Sequence, residues 1–170
     1  MEATARVDKA IRLRQKASDR WRFPERALHV VDIENLAGAP IPSLLQVNEV
    51  QDWYMTRLGF GADDQVVMAS SHLGFLNAAL GWPHARYRVR SGPNGADYEL
   101  LDVLEHEDVA ARFSHVVIGS GDWRFSRAAA SLAERGVRVT VVSRRGCLAA
   151  VLARAAQNVV YLDIPLAAAA

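Results

Sequence analysis

A chain of 170 residues, 51% hydrophobic and 23% charged, has the length of one ordinary domain and the composition of a folded rather than a disordered protein. No apolar run approaches the roughly 20 residues that cross a bilayer, the polar amino terminus holds no signal-peptide core, and the single cysteine, Cys147, excludes an internal disulfide and a cysteine-rich zinc site. The net charge of +1 is unevenly spread: residues 1–26 hold eight basic and four acidic side chains (+4), residues 27–170 twelve and fifteen (−3). The cytoplasm is the expected compartment, with no membrane partner. A basic arm ahead of a slightly acidic body suits phosphate, or simply solvation.

Residues 5–20 favour a helix but nearly lack apolar side chains at helical spacing, so that arm is peripheral. Residues 28–33 form a short apolar run, as a buried strand does. A Gly/Pro/Ser loop over 38–43 precedes a helix over 46–58, a strand over 65–69 and a short helix over 73–80. Residues 85–90 alternate as a strand with one wet face. Ser91-Gly92-Pro93-Asn94-Gly95 is a strong turn signal, and a long helix is predicted over 96–111. There follow a strand over 115–119, a helix over 125–134, a strand over 137–142, a helix over 147–157 and a strand over 159–162. The tail, 167–170, carries no signal. Strands alternating with helices at this spacing make right-handed βα units. The expected domain, 27–166, is therefore an α/β fold, three α/β/α layers around a mostly parallel sheet, behind the helical arm.

Open parallel sheets bind ligands beyond the carboxyl ends of their strands, where strand order reverses. Strand one ends in Val31-Asp32-Ile33-Glu34-Asn35 and strand four in Gly119-Ser120-Gly121-Asp122, while the third-strand loop delivers Asp97 to the long helix. Three junctions thus present an aspartate on one edge. Asp97 or Asp122 alone has a plain explanation, since an acid at a helix start caps N–H groups and suits the dipole. Asp32 follows apolar strand residues, where a lone buried carboxylate is costly. Three converging acids also raise one another's pKa unless a cation sits among them. Oxygen donors without His or Cys suit magnesium or manganese rather than zinc, and such ions serve in-line displacement at phosphorus.

These segments resemble a known family. Val31-Asp32-Ile33-Glu34-Asn35-Leu36 is similar to the D-x-x-N opening of NYN domains in the PIN-like nuclease superfamily. Ser91-Gly92-Pro93-Asn94-Gly95-Ala96-Asp97 resembles the family's glycine-containing turn before an Asp on a long helix. Val117-Ile118-Gly119-Ser120-Gly121-Asp122-Trp123-Arg124-Phe125 resembles its S-G-D-x-D-F element. The resemblance covers residues 28–163. It implies metal-dependent cleavage of RNA, single-stranded RNA foremost, with Asp32, Asp97 and Asp122 as catalytic metal ligands for Mg2+ or Mn2+. Asn35 would orient the scissile phosphate or support Asp32, and Ser120 would position the Asp122 loop and a phosphate. Arg124 is a departure, standing where many relatives carry a second Asp. Its guanidinium either binds phosphate bidentately or pairs with Asp122 and disables the site. The second outcome would leave a degenerate domain that binds RNA or a protein partner without cutting.

Other residues carry weaker signals. Trp123 is placed to stack on a base or to serve as a core or lid residue. Arg86, Arg88 and Arg90 alternate along strand three, as a phosphate track would or as a solvated edge-strand face. Glu34 is a further candidate ligand. Asp102 lies roughly 140° around the helix from Asp97, which suits a supporting or surface role. His72, His84 and His106 lack ligand spacing, and Cys147 reads as a small packing residue. A phosphoacceptor of the HAD type wants D-x-D, and Glu34 occupies the third place. The glycines after strand one do not form the dinucleotide-binding G-x-G-x-x-G. A homodimer is left open.

Overall fold

Short strands, several of them apolar nearly throughout, need cover on both faces, and the chain supplies helices for each in turn. In the computed structural model, which describes residues 26–163, β1 (Ala27–Asp32) leads through the short α1 (Ile33–Ala37) and α2 (Leu44–Leu58) to β2 (Gln65–Ser70). Next come α3 (Phe75–Gly81), β3 (Arg86–Val89), α4 (Gly95–His106) and the single turn α5 (Val109–Arg112). The chain continues with β4 (His115–Gly119), a 3-10 turn (Trp123–Phe125), α6 (Ser126–Glu134), β5 (Arg138–Arg144), α7 (Ala150–Ala155) and β6 (Asn158–Leu162). The predicted arm helix over 5–20 and the tail lie outside the described residues. No helix among the described residues is long and apolar enough to cross a membrane.

The six strands pair in the order β3-β2-β1-β4-β5-β6, and every pairing is parallel. The sheet grows outward from β1 to β3, then the chain returns and grows the other way from β4. Strand order therefore reverses between β1 and β4, and sheets of this kind bind ligands beyond the carboxyl ends of the strands at that point. Period-two alternation sends Leu28 and Val30 to one face, where Leu100, Phe113, Leu132 and Leu152 cover them. Val31 and Val117 face the other way, against Leu36, Val47, Tyr54 and Trp82.

Three helices differ from expectation, each for a local reason. The Asp32 carboxylate accepts the Asn35 N–H at 3.0 Å, and this cap starts a short helix that no periodicity announced. The long helix predicted over 96–111 ends at His106, because Asp108 adopts a left-handed backbone (φ 48°) and the chain restarts as α5. The helix predicted over 147–157 begins only at Ala150, since the Ala149 N–H is taken by the Gly121 carbonyl at 2.9 Å.

A polar cluster sits at the opposite, amino-terminal end of the sheet. His29 is buried, its Nδ1 3.0 Å from Tyr54 Oη and its Nε2 3.6 Å from Asp64 Oδ2. Burial pushes His29 down to about 4 despite Asp64, and burial with the Arg138 charge does the same to His115. The unfolded chain takes up protons as pH falls through 6.5, the folded chain only near 4, so stability present above the first value is lost on the way to the second. Both imidazoles are expected to keep their neutral NMR shifts down to about pH 5 while the urea midpoint already falls. Titration of either ring near its ordinary value would contradict this.

Candidate active site

Asp32 closes β1 at the point of strand reversal and is only 6% exposed. Asp97, 7% exposed, stands in the first turn of α4. The turn before it works because Asn94 accepts a left-handed backbone (φ 58°) and because residue 95 is glycine. A Cβ at Gly95 would lie 2.4 Å from the Arg90 carbonyl oxygen. The two carboxyls are close enough that each acts on the protonation of the other. Burial raises Asp32 to about 8, opposed by the Asn35 N–H and reinforced by the charges of Asp97 and Glu34. Burial likewise raises Asp97, followed by the charge of Asp122. Asp97 Oδ1 is buried without a hydrogen-bond partner.

Asp122 is the most open of the three, and both its oxygens are engaged by one residue. Its Oδ1 accepts the Arg124 N–H at 2.9 Å and its Oδ2 accepts from Arg124 Nη1 at 2.8 Å. The same guanidinium lies 5.2 Å from the ring centre of Trp123, which is 59% exposed. Ser120 is buried and its hydroxyl accepts the Asp122 N–H at 3.3 Å. Asn35 bridges from the end of β1 to its neighbours: its Oδ1 accepts the Gly121 N–H at 3.1 Å, and its carbonyl accepts from Arg144 Nε at 3.1 Å. Glu34 turns the other way, accepting the Ser71 N–H at 2.6 Å. Glu34 and Asn35 thus tie the end of β1 to the segments that follow β2 and β4.

The fold brings Asp32 and Asp97 together and sets Asp122 near enough to act on Asp97 by charge. Among the described residues, no three His, Cys, Asp or Glu side chains gather closely enough to hold one ion. Two buried carboxylates, one with an unpartnered oxygen, nevertheless suit a hard dication, because magnesium retains several waters and needs only one or two protein carboxylates. The capping explanation is distributed differently from the sequence expectation. Asp32 and Asp122 each cap a backbone N–H, whereas Asp97 caps nothing.

Arg88 is drawn away from the acids. It pairs with Asp102 at 2.6 Å and reaches Glu99 at 3.6 Å, while Arg86 takes Glu107 at 2.7 Å and Arg90 approaches Glu99 at 3.8 Å. The basic strip along β3 and just past it therefore lies against acidic side chains of α4 and its carboxyl-terminal cap, and Asp102 is a surface ion-pair residue. Arg144 was not singled out by sequence; the adjacent arginines at the end of β5 were its only signal.

Acidic side chains at the reversal point of an all-parallel sheet with flanking helices define a three-layer α/β/α protein of PIN-like fold. The NYN domain family matches residues 63–163, more than half of the chain, and the chain belongs to that family. The matched segment carries Asp97 and Asp122, while Asp32 precedes it. A solved structure from Vibrio parahaemolyticus, described as a protein of unknown function, superposes with a TM-score of 0.52 at 17% identity, over 82% of this chain and 93% of that one. At that identity the likeness concerns the fold. No curated protein matches.

Proposed function

We propose that this NYN domain is a ribonuclease of the cytoplasm that hydrolyses phosphodiester bonds of RNA, single strands foremost, using magnesium or manganese. The observation that carries this is the buried, unpartnered Oδ1 of Asp97 beside the Asp32 carboxyl. Asp32 and Asp97 would hold the ion, with Asp122 completing the acidic set. Held there, such an ion would supply the acidity of an attacking water and the stabilisation of the leaving oxygen. Asn35 fixes the spacing between β1 and the Asp122 loop, and Ser120 holds that loop from beneath. Arg124 offers its remaining N–H donors to a phosphate, and Trp123 a ring face to a base.

The purified chain should cut labelled single-stranded RNA in manganese or magnesium and stop when EDTA is added. Persistent cleavage in EDTA would reject the ion mechanism. The Arg124–Asp122 pair also supports a second reading, a domain that binds RNA or a protein partner without cutting. RNA bound but never cut, across varied sequences and both ions, would establish RNA binding without cleavage. Arg124→Ala is expected to lower kcat/KM about tenfold, the worth of one charge-assisted contact, with Lys restoring only part because it lacks the planar fork. A rise in activity would instead mark Arg124 as the group that restrains Asp122.

A further inference from the structure

We infer that Tyr98, with Arg90 beside it, is a second base-stacking platform, so that a single RNA strand crosses the acids with one base on Tyr98 and another on Trp123. This rests on reading the acids as an RNA-cleaving site. Large aromatic side chains favour burial, and Tyr54, Phe113 and Phe125 are fully buried. Tyr98 is 47% exposed and Trp123 59% exposed. Each directly follows an acid of the site, Asp97 or Asp122; on α4 the Tyr98 ring stands about 100° around the helix from Asp97, on the side where Arg90 reaches it.

Each ring also has a guanidinium beside it. Arg90 lies 5.4 Å from the Tyr98 ring centre and Arg124 5.2 Å from that of Trp123. Arg90 has 56% of its side chain exposed and only a loose approach to Glu99 at 3.8 Å, so its donors are available to a phosphate. Its backbone is fixed, since its N–H bonds the Ser70 carbonyl at 3.1 Å, and the Tyr98 N–H bonds Asn94 at 3.1 Å. A third such pair, Arg145 with Tyr161, is built differently. Arg145 is engaged in a two-fold contact with Asp163 at 2.6 and 3.0 Å, so its donors are already taken by a carboxylate.

An exposed ring with a cation beside it takes any base through its π-face, which makes such binding tolerant of sequence. In a duplex those faces are already stacked on neighbouring bases, so two separated platforms select unpaired strands.

The test uses the full chain with Asp32→Asn, to separate binding from cleavage, and a labelled uridine decamer. Adding Tyr98→Ala should weaken Kd roughly tenfold with an unchanged melting curve, and Tyr98→Trp should restore it. The same RNA in a duplex should show no difference between the proteins. Equal Kd with and without the Tyr98 side chain overturns the inference and leaves the cleavage reading standing. Weakened binding in a protein whose wild type never cuts keeps the platform and removes the cleavage reading. Failure of the Asp32→Asn chain to bind the decamer at all also overturns the platform.

Discussion

Asp32→Asn should lower RNA cleavage about a thousandfold or more, the loss expected when an ion-holding carboxylate is removed. The fold should survive, because Asn retains an oxygen to accept the Asn35 N–H that Asp32 now caps. In metal-free buffer the variant should be the more stable protein, and increasingly so as pH rises. The physical cause is the buried position, which raises Asp32 from 3.8 to about 8. Between those values the folded protein holds a proton that the unfolded chain has lost, so stability present at low pH disappears as pH climbs through the upper value. Asn carries no such penalty. Excess manganese should reverse the order, since an ion that binds only the native wild type stabilises it. Urea midpoints near pH 5 and pH 8, with and without manganese, together with turnover of labelled RNA, read all parts of this. A variant that still cuts at the wild-type rate would remove Asp32 from the mechanism.

Gly121→Ala should destabilise the protein by about 3 kcal/mol and take activity with it. A Cβ there would stand 2.2 Å from the Cys147 carbonyl oxygen and 2.5 Å from Ser143 Oγ. The backbone oxygen cannot swing aside as a long side chain would, so the loop itself must move. Moving it strains two ties, the Gly121 N–H to Asn35 and the Ala149 N–H to the Gly121 carbonyl. Asp122 is the next residue and moves too. Asn35→Ala should show the milder version, about 1–2 kcal/mol, because it removes only the acceptor for the Gly121 N–H. Urea denaturation of the three proteins ranks these effects. Equal stability of Gly121→Ala and wild type would mean that the Asp122 loop is not held against the end of β5.

Much of the architecture was legible because its causes are local. Leu28, Val30 and Val31, interrupted only by His29, and Val116 to Ile118 form short apolar runs bounded by turn and polar residues, a pattern that suits a strand covered on both sides. Asn94-Gly95 is legible as a turn because Asn tolerates the left-handed backbone and Gly has no Cβ, both properties of the residues themselves. The three helix errors share the opposite cause. Asp108 entering the left-handed region, the Ala149 N–H captured by Gly121, and the turn capped by Asp32 each depend on a neighbour or a backbone choice that periodicity does not register.

The chain's own order of residues determined the alternation of strands and helices and placed aspartates 32, 97 and 122 at three junctions on one edge. Period, turn chemistry and the handedness of βα units are enough for that. Only the tertiary structure decided which charges meet. It put Asp97 beside Asp32 with an oxygen left over, gave Asp122 to Arg124, sent Arg88 to Asp102, and laid Arg90 beside an exposed Tyr98. Such pairings are settled by packing between segments far apart in the chain, where a few ångströms separate an ion site from an ion pair.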